Sequence, residues 1–499
     1  MRAPAHWDLD YDVVVAGYGY AGAMAAMTAH DAGARVALFE KMAHPGGNSI
    51  LSGGACLVGT DYDATLAYLR RTLADATDPA VVEVYARGMV ALPELLQQLA
   101  GEVGFDTAVN RHNAGTYPFP GYEQLVAVYV TRNDKYTGFS WAKGTKAGGT
   151  LFWVVLRQME RRPAIDVRFN APVRDLVLDD SGTVLGVNVE IEGQRLNARA
   201  RRAVVLCTGG FEHNARLLQH YLDSHDSTAV SPLGNTGDGI LMAQKAGAAL
   251  WHMWLIHGGY GFRVPDVPFA LRHNYPGYRN AERRMPWIAL DRFGRRFMDE
   301  YPPAPQDTPF RTLQHWDPDL QDYPRIPCYL VFDEEGRKLD KLAWPVINDA
   351  AIDFTWSDDN LAEIEKGYVK RADTLAALAA QIGLDPEAVQ ESVDRWNEHC
   401  RRGEDRDYRR PPGTMLPIVT PPFYCIEAWP IITNTQGGPV HNARQQVLDA
   451  FGHPIPRLYK AGEMGSVFGH VYALGGNNSE CFIGGPIAGR EAAAEPPWC

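Results

Sequence analysis

The chain has 499 residues, 45% hydrophobic and 22% charged, a globular composition long enough for two or three domains. A net charge of −12 excludes the basic footprint of a nucleic-acid binder. Seven cysteines without a C-x-x-C pair set aside a disulfide framework or a zinc site. No run is long enough to cross a bilayer, and "MRAPAHWDLD" lacks a signal peptide's regions, so a cytoplasmic protein is expected.

The first element is Val13–Ala16, a short β-branched run that predicts a buried parallel strand. Gly17, Gly19 and Gly22 follow in G-x-G-x-x-G spacing around Tyr20 and Ala21, and Ala23–Ala32 is helix-forming. Arg35–Phe39 predicts the second strand, closed by Glu40 and Lys41. In this context the first glycine allows the turn, the second lets backbone approach a pyrophosphate, and the third lets helix and strand pack closely. Glu40 stands where an acid bonds ribose hydroxyls. The next loop carries Gly46, Gly47, Asn48, Ser49, Ser52, Gly53 and Gly54. A nicotinamide site needs no second Gly-rich, hydroxyl-bearing loop, whereas a ribityl chain and flavin ring do.

Further on, Asp166–Gly193 alternates and turns at Asp180–Gly182, predicting a β-hairpin in which Val173 is counted with the cofactor residues. Ala203–Cys207 predicts a buried strand leading to Thr208, Gly209 and Gly210, small residues suited to the adenine end of a dinucleotide. Asp238 opens a helix, as a cofactor contact or as a first-turn acid. His252 and His257 lie close to Trp251 and Trp254, read as a pocket wall; each histidine is an acid–base candidate or a packed residue. Trp141 is a further candidate for the substrate site. The run Cys400–Gly413 reads as a surface linker. Near the end, a strand leads to Gly462 and Glu463, then His470, Tyr472, Gly476, Asn478 and Ser479, with a helix opening at Gly475–Gly476.

The stretches "VVVAGYGYAG", "GGNSILSGG", "CTGGFE", "TGDGI", "DRFGRRFMDE", "TQGGPV" and "YKAGEMGSVFGHVYALGGNNSECFIGGPIAG" together resemble the flavoprotein superfamily of fumarate reductase, succinate dehydrogenase and 3-ketosteroid Δ1-dehydrogenase. The resemblance implies an α/β fold: a Rossmann-like FAD-binding domain made from both chain ends (1–255 and 417–499), with a cap or catalytic domain inserted at 256–416. It implies that Glu463, Asn478 and Ser479 join the cofactor site. It also implies non-covalent FAD, because Gly47 stands where respiratory members carry the flavin-linked histidine. Arg295 and Arg296, in the cap hairpin, are structural by default.

Two branches of the resemblance need different equipment. A dicarboxylate is gripped by arginine and histidine, but those family positions here are Ala473, Ala304 and Asn434. A ketone desaturase polarises a carbonyl with a tyrosine O–H and a backbone N–H; Tyr472 and Gly476 have that family's spacing, and Gly476 at a helix start is expected to offer a free N–H. The family's base tyrosine falls on Ala304, so Tyr301, Tyr117 and Tyr122 are candidate substitutes, each read first as a packing or loop aromatic. The expected activity is FAD-dependent α,β-desaturation of a cyclic ketone or 3-ketosteroid, with reduction of an activated alkene as the alternative. The partner is a small-molecule ketone; no motif assigns an electron acceptor.

Overall fold

The computed structural model describes residues 4–111, 117–145, 147–222, 226–230, 232–274, 282–302, 304 and 307–498. The strand Leu9–Ala16 is buried at its end, where β-branched valines fill the sheet's interior, and it pairs in parallel with Val36–Phe39 on one side and Gln194–Leu206 on the other. Asp166–Arg168 extends one edge and Pro454–Lys460 the other, both in parallel. Leu9–Ala16 and Gln194–Leu206 are therefore neighbours whose connections leave toward opposite edges, a topological switch point where a crevice opens beyond the strand ends. The expected hairpin is present as Val173–Leu178 against Val184–Ile191.

The helix after the first strand runs Tyr20–Asp31, three residues ahead of the expected start, because Gly19 in extended conformation is already its N-cap. A Cβ on Gly22 would lie 1.8 Å from the Gly17 carbonyl oxygen, so helix and turn meet only with glycine there. The C-terminal helix Gly476–Ala494 lies along Tyr20–Asp31, and a Cβ on Gly489 would come to 2.3 Å from the Ala25 carbonyl oxygen. The apolar, Gly-rich end of the chain is thus a close helix–helix contact beside the sheet.

A second sheet forms the cap. Its order is Ile288–Leu290, Cys328–Phe332, Phe423–Thr435, Ile256–Phe262, Leu271–His273, Ala343–Trp344, with Thr228–Ala229 and Lys370–Ala372 also paired to Phe423–Thr435. Because Phe423–Thr435 belongs to this sheet, we propose that the cap is reckoned through Thr435 rather than ending at 416. The expected surface linker Cys400–Gly413 is not one: the helix Pro386–Arg402 runs into it, and Arg410 is fully buried, with one guanidinium nitrogen 3.2 Å from Glu300. Arg296 pairs with both Glu300 and Asp405 at 2.7 and 2.8 Å, so this charged run closes a buried ion network in the cap. The cluster His399, Asp405 and Asp407 lies in the same network, its carboxylates held by Arg296 and Arg395.

Candidate active site

The cleft at the switch point is lined by Gly17, Gly19, Tyr20 and Ala21 from the first turn and by Glu40 and Lys41 from the second strand's end. Across it stand Val173, Thr208, Gly209 and Asp238, and at its inner end Gly47, Asn48, Ser49, Gly462 and Glu463. A Cβ on Gly17 would lie 2.3 Å from the Cys207 carbonyl oxygen at φ +101°, so the turn admits no side chain between the two strand ends. The Tyr20 N–H donates to Ser49 Oγ at 2.9 Å, tying the second Gly-rich loop to the first turn of the helix. Glu40 accepts N–H groups of Tyr18 and Met42, each at 2.8 Å. Burial raises its pKa, and those two donors counter the rise. Lys41 bonds Asp238 at 2.8 Å and Thr236 at 2.6 Å, so Asp238 is at once a first-turn acid and half of an ion pair at the cleft wall.

The donor set fits FAD. Helix N-terminal amides and the bare Gly17–Gly19 backbone suit a pyrophosphate, the carboxyl groups of Glu40 and Glu463 suit sugar hydroxyls, and Ser49 and Asn48 suit a polyol chain. Several expected contacts have other duties. Gly22 packs the turn, and the Gly46 N–H is held by the Tyr18 carbonyl at 2.8 Å. Gly54 admits the backbone of Ala147, 2.2 Å from its would-be Cβ. The Gly210 N–H donates to Glu463 at 3.0 Å, and Ser479 Oγ donates to the Leu57 carbonyl at 2.6 Å. None of these five lines the cleft or the cavity beyond it.

Asn48, Ser49 and Glu463 are shared with that second cavity, which has a volume of about 420 Å³ and also touches Ser52, Gly53 and Asn478. Its far walls come from the cap: His257 from Ile256–Phe262, Arg272 and His273 from Leu271–His273, Asn434 from Phe423–Thr435. Tyr472 enters from the loop before the last helix, and its ring centroid lies 4.3 Å from that of His257. The Tyr472 oxygen accepts a long bond from the Asn477 N–H at 3.4 Å. Burial pushes its pKa up, so the phenol keeps its proton at neutral pH and is a hydrogen-bond donor.

Gly476 departs from expectation. Its N–H donates to the Ala473 carbonyl at 2.9 Å, because Gly475, at φ +85°, folds the chain into a turn that closes this bond. A Cβ on Gly476 would lie 2.3 Å from the Phe468 ring. Packing therefore accounts for this glycine, and the expected pair of carbonyl donors reduces to Tyr472.

The substitute bases lie elsewhere. Tyr117 donates to Asp307 at 2.8 Å, and burial with the Asp307 charge raises its pKa, the wrong direction for a base. Tyr301 packs against the cap core and Tyr122 against the cluster around Tyr68; none of the three lines the cavity. His470 and Trp254 are exposed, Trp251 stacks on His252, and Trp141 stacks on His44. His252 is held by the carbonyls of Ser466 and Ala76 at 2.7 and 2.8 Å, a packed residue.

Arg272 was missed from sequence. It lines the cavity, with Nη2 3.0 Å from Thr433 Oγ1, although the arginine positions of the fumarate reductases are empty. Beside it, burial pushes His273 down to about 4, and its Nδ1 is spent on the Tyr260 carbonyl.

The family described as FAD binding domain matches residues 12–479. The chain is 27% identical to urocanate reductase of Eggerthella lenta over 504 residues, covering 99% of this chain and 76% of the relative. It is 28% identical to 4-oxocyclohexanecarboxylate 2-dehydrogenase of Sinomonas cyclohexanicum over 573 residues, covering 97% and 93%. Its fold matches the crystal structure of 3-ketosteroid Δ1-dehydrogenase from Sterolibacterium denitrificans with a TM-score of 0.83 at 22% identity, over 97% of this chain and 99% of that one. No helix among the described residues is long and apolar enough to cross a membrane. The chain belongs to the FAD-binding family of fumarate reductases and ketosteroid dehydrogenases, and is an FAD-dependent oxidoreductase.

Proposed function

We propose that the protein desaturates a cyclic ketone next to its carbonyl. The observation that carries this reading is Tyr472: a buried phenol that stays protonated, in a cavity contiguous with the cofactor cleft. Its O–H donates to the ketone oxygen and lowers the cost of removing the α proton, a donor aimed where negative charge develops. Glu40, Gly17 and Gly19 hold the dinucleotide end of FAD, and Asn48, Ser49 and Glu463 its inner part. Gly47 leaves no side chain to attach the ring, so the cofactor is held non-covalently. Bound FAD supplies the two-electron acceptor for the hydride that leaves the β carbon. The 4-oxocyclohexanecarboxylate 2-dehydrogenase among the relatives makes a single-ring ketone a suitable first probe, alongside 3-ketosteroids.

One observation favours the reverse reaction. Arg272 places a fixed positive charge at the cavity, which suits an activated alkene bearing an anionic group, and a urocanate reductase is among the relatives. Anaerobic mixing separates the two. Bleaching of the oxidised flavin by cyclic ketones supports desaturation. Reoxidation of the reduced flavin by unsaturated acids, with no bleaching by any ketone, replaces it with reduction.

A further inference from the structure

We propose that His257 is the proton acceptor of this site, acting through Nε2, and that a relay of amides anchored at Glu480 fixes the tautomer that makes it one. The proton it takes rests on the ketone reading above; the tautomer rests on geometry alone.

The relay starts in the last helix. Glu480 accepts the Val467 N–H on Oε1 at 2.8 Å and the Ser466 hydroxyl on Oε2 at 2.9 Å, with Lys460 Nζ 4.0 Å away. An acceptor of this kind takes only donors, so the Asn477 side-chain nitrogen faces it, 3.1 Å from Oε2. The Asn477 carbonyl oxygen is thereby turned to Asn434, whose side-chain nitrogen lies 2.9 Å away. That same nitrogen also lies 3.3 Å from Glu463 Oε2. The amide of Asn434 is therefore oriented by oxygen atoms on its nitrogen side, and its Oδ1 faces His257, 2.9 Å from Nδ1.

A carbonyl oxygen accepts, so Nδ1 of His257 carries the hydrogen. In the neutral ring Nε2 then holds the lone pair. The ring lines the cavity beside Tyr472 with Nε2 itself covered in this structure. The group that polarises the carbonyl and the group that takes the neighbouring proton are thus adjacent, and the transfer requires the ring edge to turn toward the substrate. In the step itself the α C–H bond breaks and its proton passes to Nε2, giving an imidazolium. The bond's electron pair moves into the enolate, whose oxygen receives the Tyr472 hydrogen bond. Asn434 Oδ1 faces the charge formed on the ring. The tyrosine slots of the ketosteroid branch are not needed for this step.

Two measurements test the assignment. In holoenzyme with nitrogen-15 histidines, the signal lost in His257→Gln reports the ring. Nδ1 should be the hydrogen-bearing nitrogen and Nε2 the bare one, with the preference weakened in Asn434→Leu. A hydrogen on Nε2 overturns the proposal whatever the substrate. The second measurement follows deuterium entering the α position of cyclohexanone in heavy water, with the flavin reduced beforehand so that no hydride can leave. His257→Gln should slow this exchange at least about 100-fold relative to wild type; exchange at the wild-type rate overturns the proposal. Exchange by wild type without flavin bleaching by any ketone leaves His257 as the base and removes the desaturase reading. Bleaching that His257→Gln leaves unchanged removes the base and keeps the reading.

Discussion

The rings of Tyr472 and His257 lie 4.3 Å apart, one carried by the loop ahead of the last helix and the other by a strand of the cap sheet. The site is assembled only when both parts of the chain are in place, and in the proposed reading its chemistry divides between a donor on one side and an imidazole on the other.

Replacing Tyr472 by Phe keeps the ring contact and removes the O–H. The expected result is a fall in kcat/KM of about 10²–10³ for a ketone substrate, the usual cost of one such donor. FAD content should be unchanged, because Tyr472 does not line the cofactor cleft. Stopped-flow flavin reduction and the visible spectrum of the purified protein check the two halves of this prediction.

Gly476 separates packing from hydrogen bonding. Ala at this position retains the backbone N–H but meets the Phe468 ring. Gly476→Ala should lower stability by about 1–3 kcal/mol, as overpacking does, and should disturb the turn that carries Tyr472. Adding Phe468→Leu should restore most of the loss in both thermal denaturation and turnover. Restoration is the sign of packing; a loss that persists in the double variant shows the glycine is needed for another reason.

The carboxyl pair Glu212 and Glu463 links stability to pH. Burial raises both, and for Glu463 the charge of Glu212 adds to the rise. The folded chain thus holds a proton that the unfolded chain releases above about pH 4. Stability from this pair is complete below that pH and declines as pH climbs through the raised folded pKa. Glu212→Gln removes the titrating partner. Its melting temperature should exceed that of wild type on the alkaline side and converge with it on the acid side.

The cap network titrates in the opposite sense. Burial alone would raise Glu300, but the charges of Arg296 and Arg410 overcome it, and its pKa is lowered. Asp405 is lowered in the same way by Arg296 against its own burial. This contribution is present above the usual carboxylate pKa and is lost as pH falls through the depressed one. Arg410→Met should cost about 3–5 kcal/mol, since it leaves buried Glu300 short of a partner. Urea denaturation at neutral pH measures the loss, and the gap to wild type should narrow in acid.

The cofactor cleft was legible in the sequence because its parts are local. Gly17 and Gly22 mark a turn whose geometry admits no side chain, Gly19 between them caps the helix, and Glu40 ends the very next strand. The cavity was not legible for the opposite reason. His257, Arg272 and Asn434 meet there only because three cap strands pair across long stretches of chain, and no spacing in the sequence records that pairing. Arg272 carried no signal at all, lying outside every motif compared. The Gly476 N–H was misjudged because a helix start predicts a free donor, while the turn at Gly475 supplies an acceptor just ahead of it. The charges of 400–413 read as solvated, and only the burial of Arg410 beside Glu300 shows otherwise.

The strand Phe423–Thr435 spans both halves of the molecule. Its length is hydrogen-bonded into the cap sheet, while its last residues grip the cofactor side: the Thr433 carbonyl accepts from Asn48 at 3.3 Å, and Thr435 Oγ1 accepts the Phe211 N–H at 2.9 Å. It is the axle on which the cap is mounted. The strand thus ties the cap sheet to the cofactor side, and a displacement of its last residues would carry Asn434, the partner of His257 Nδ1, along with them.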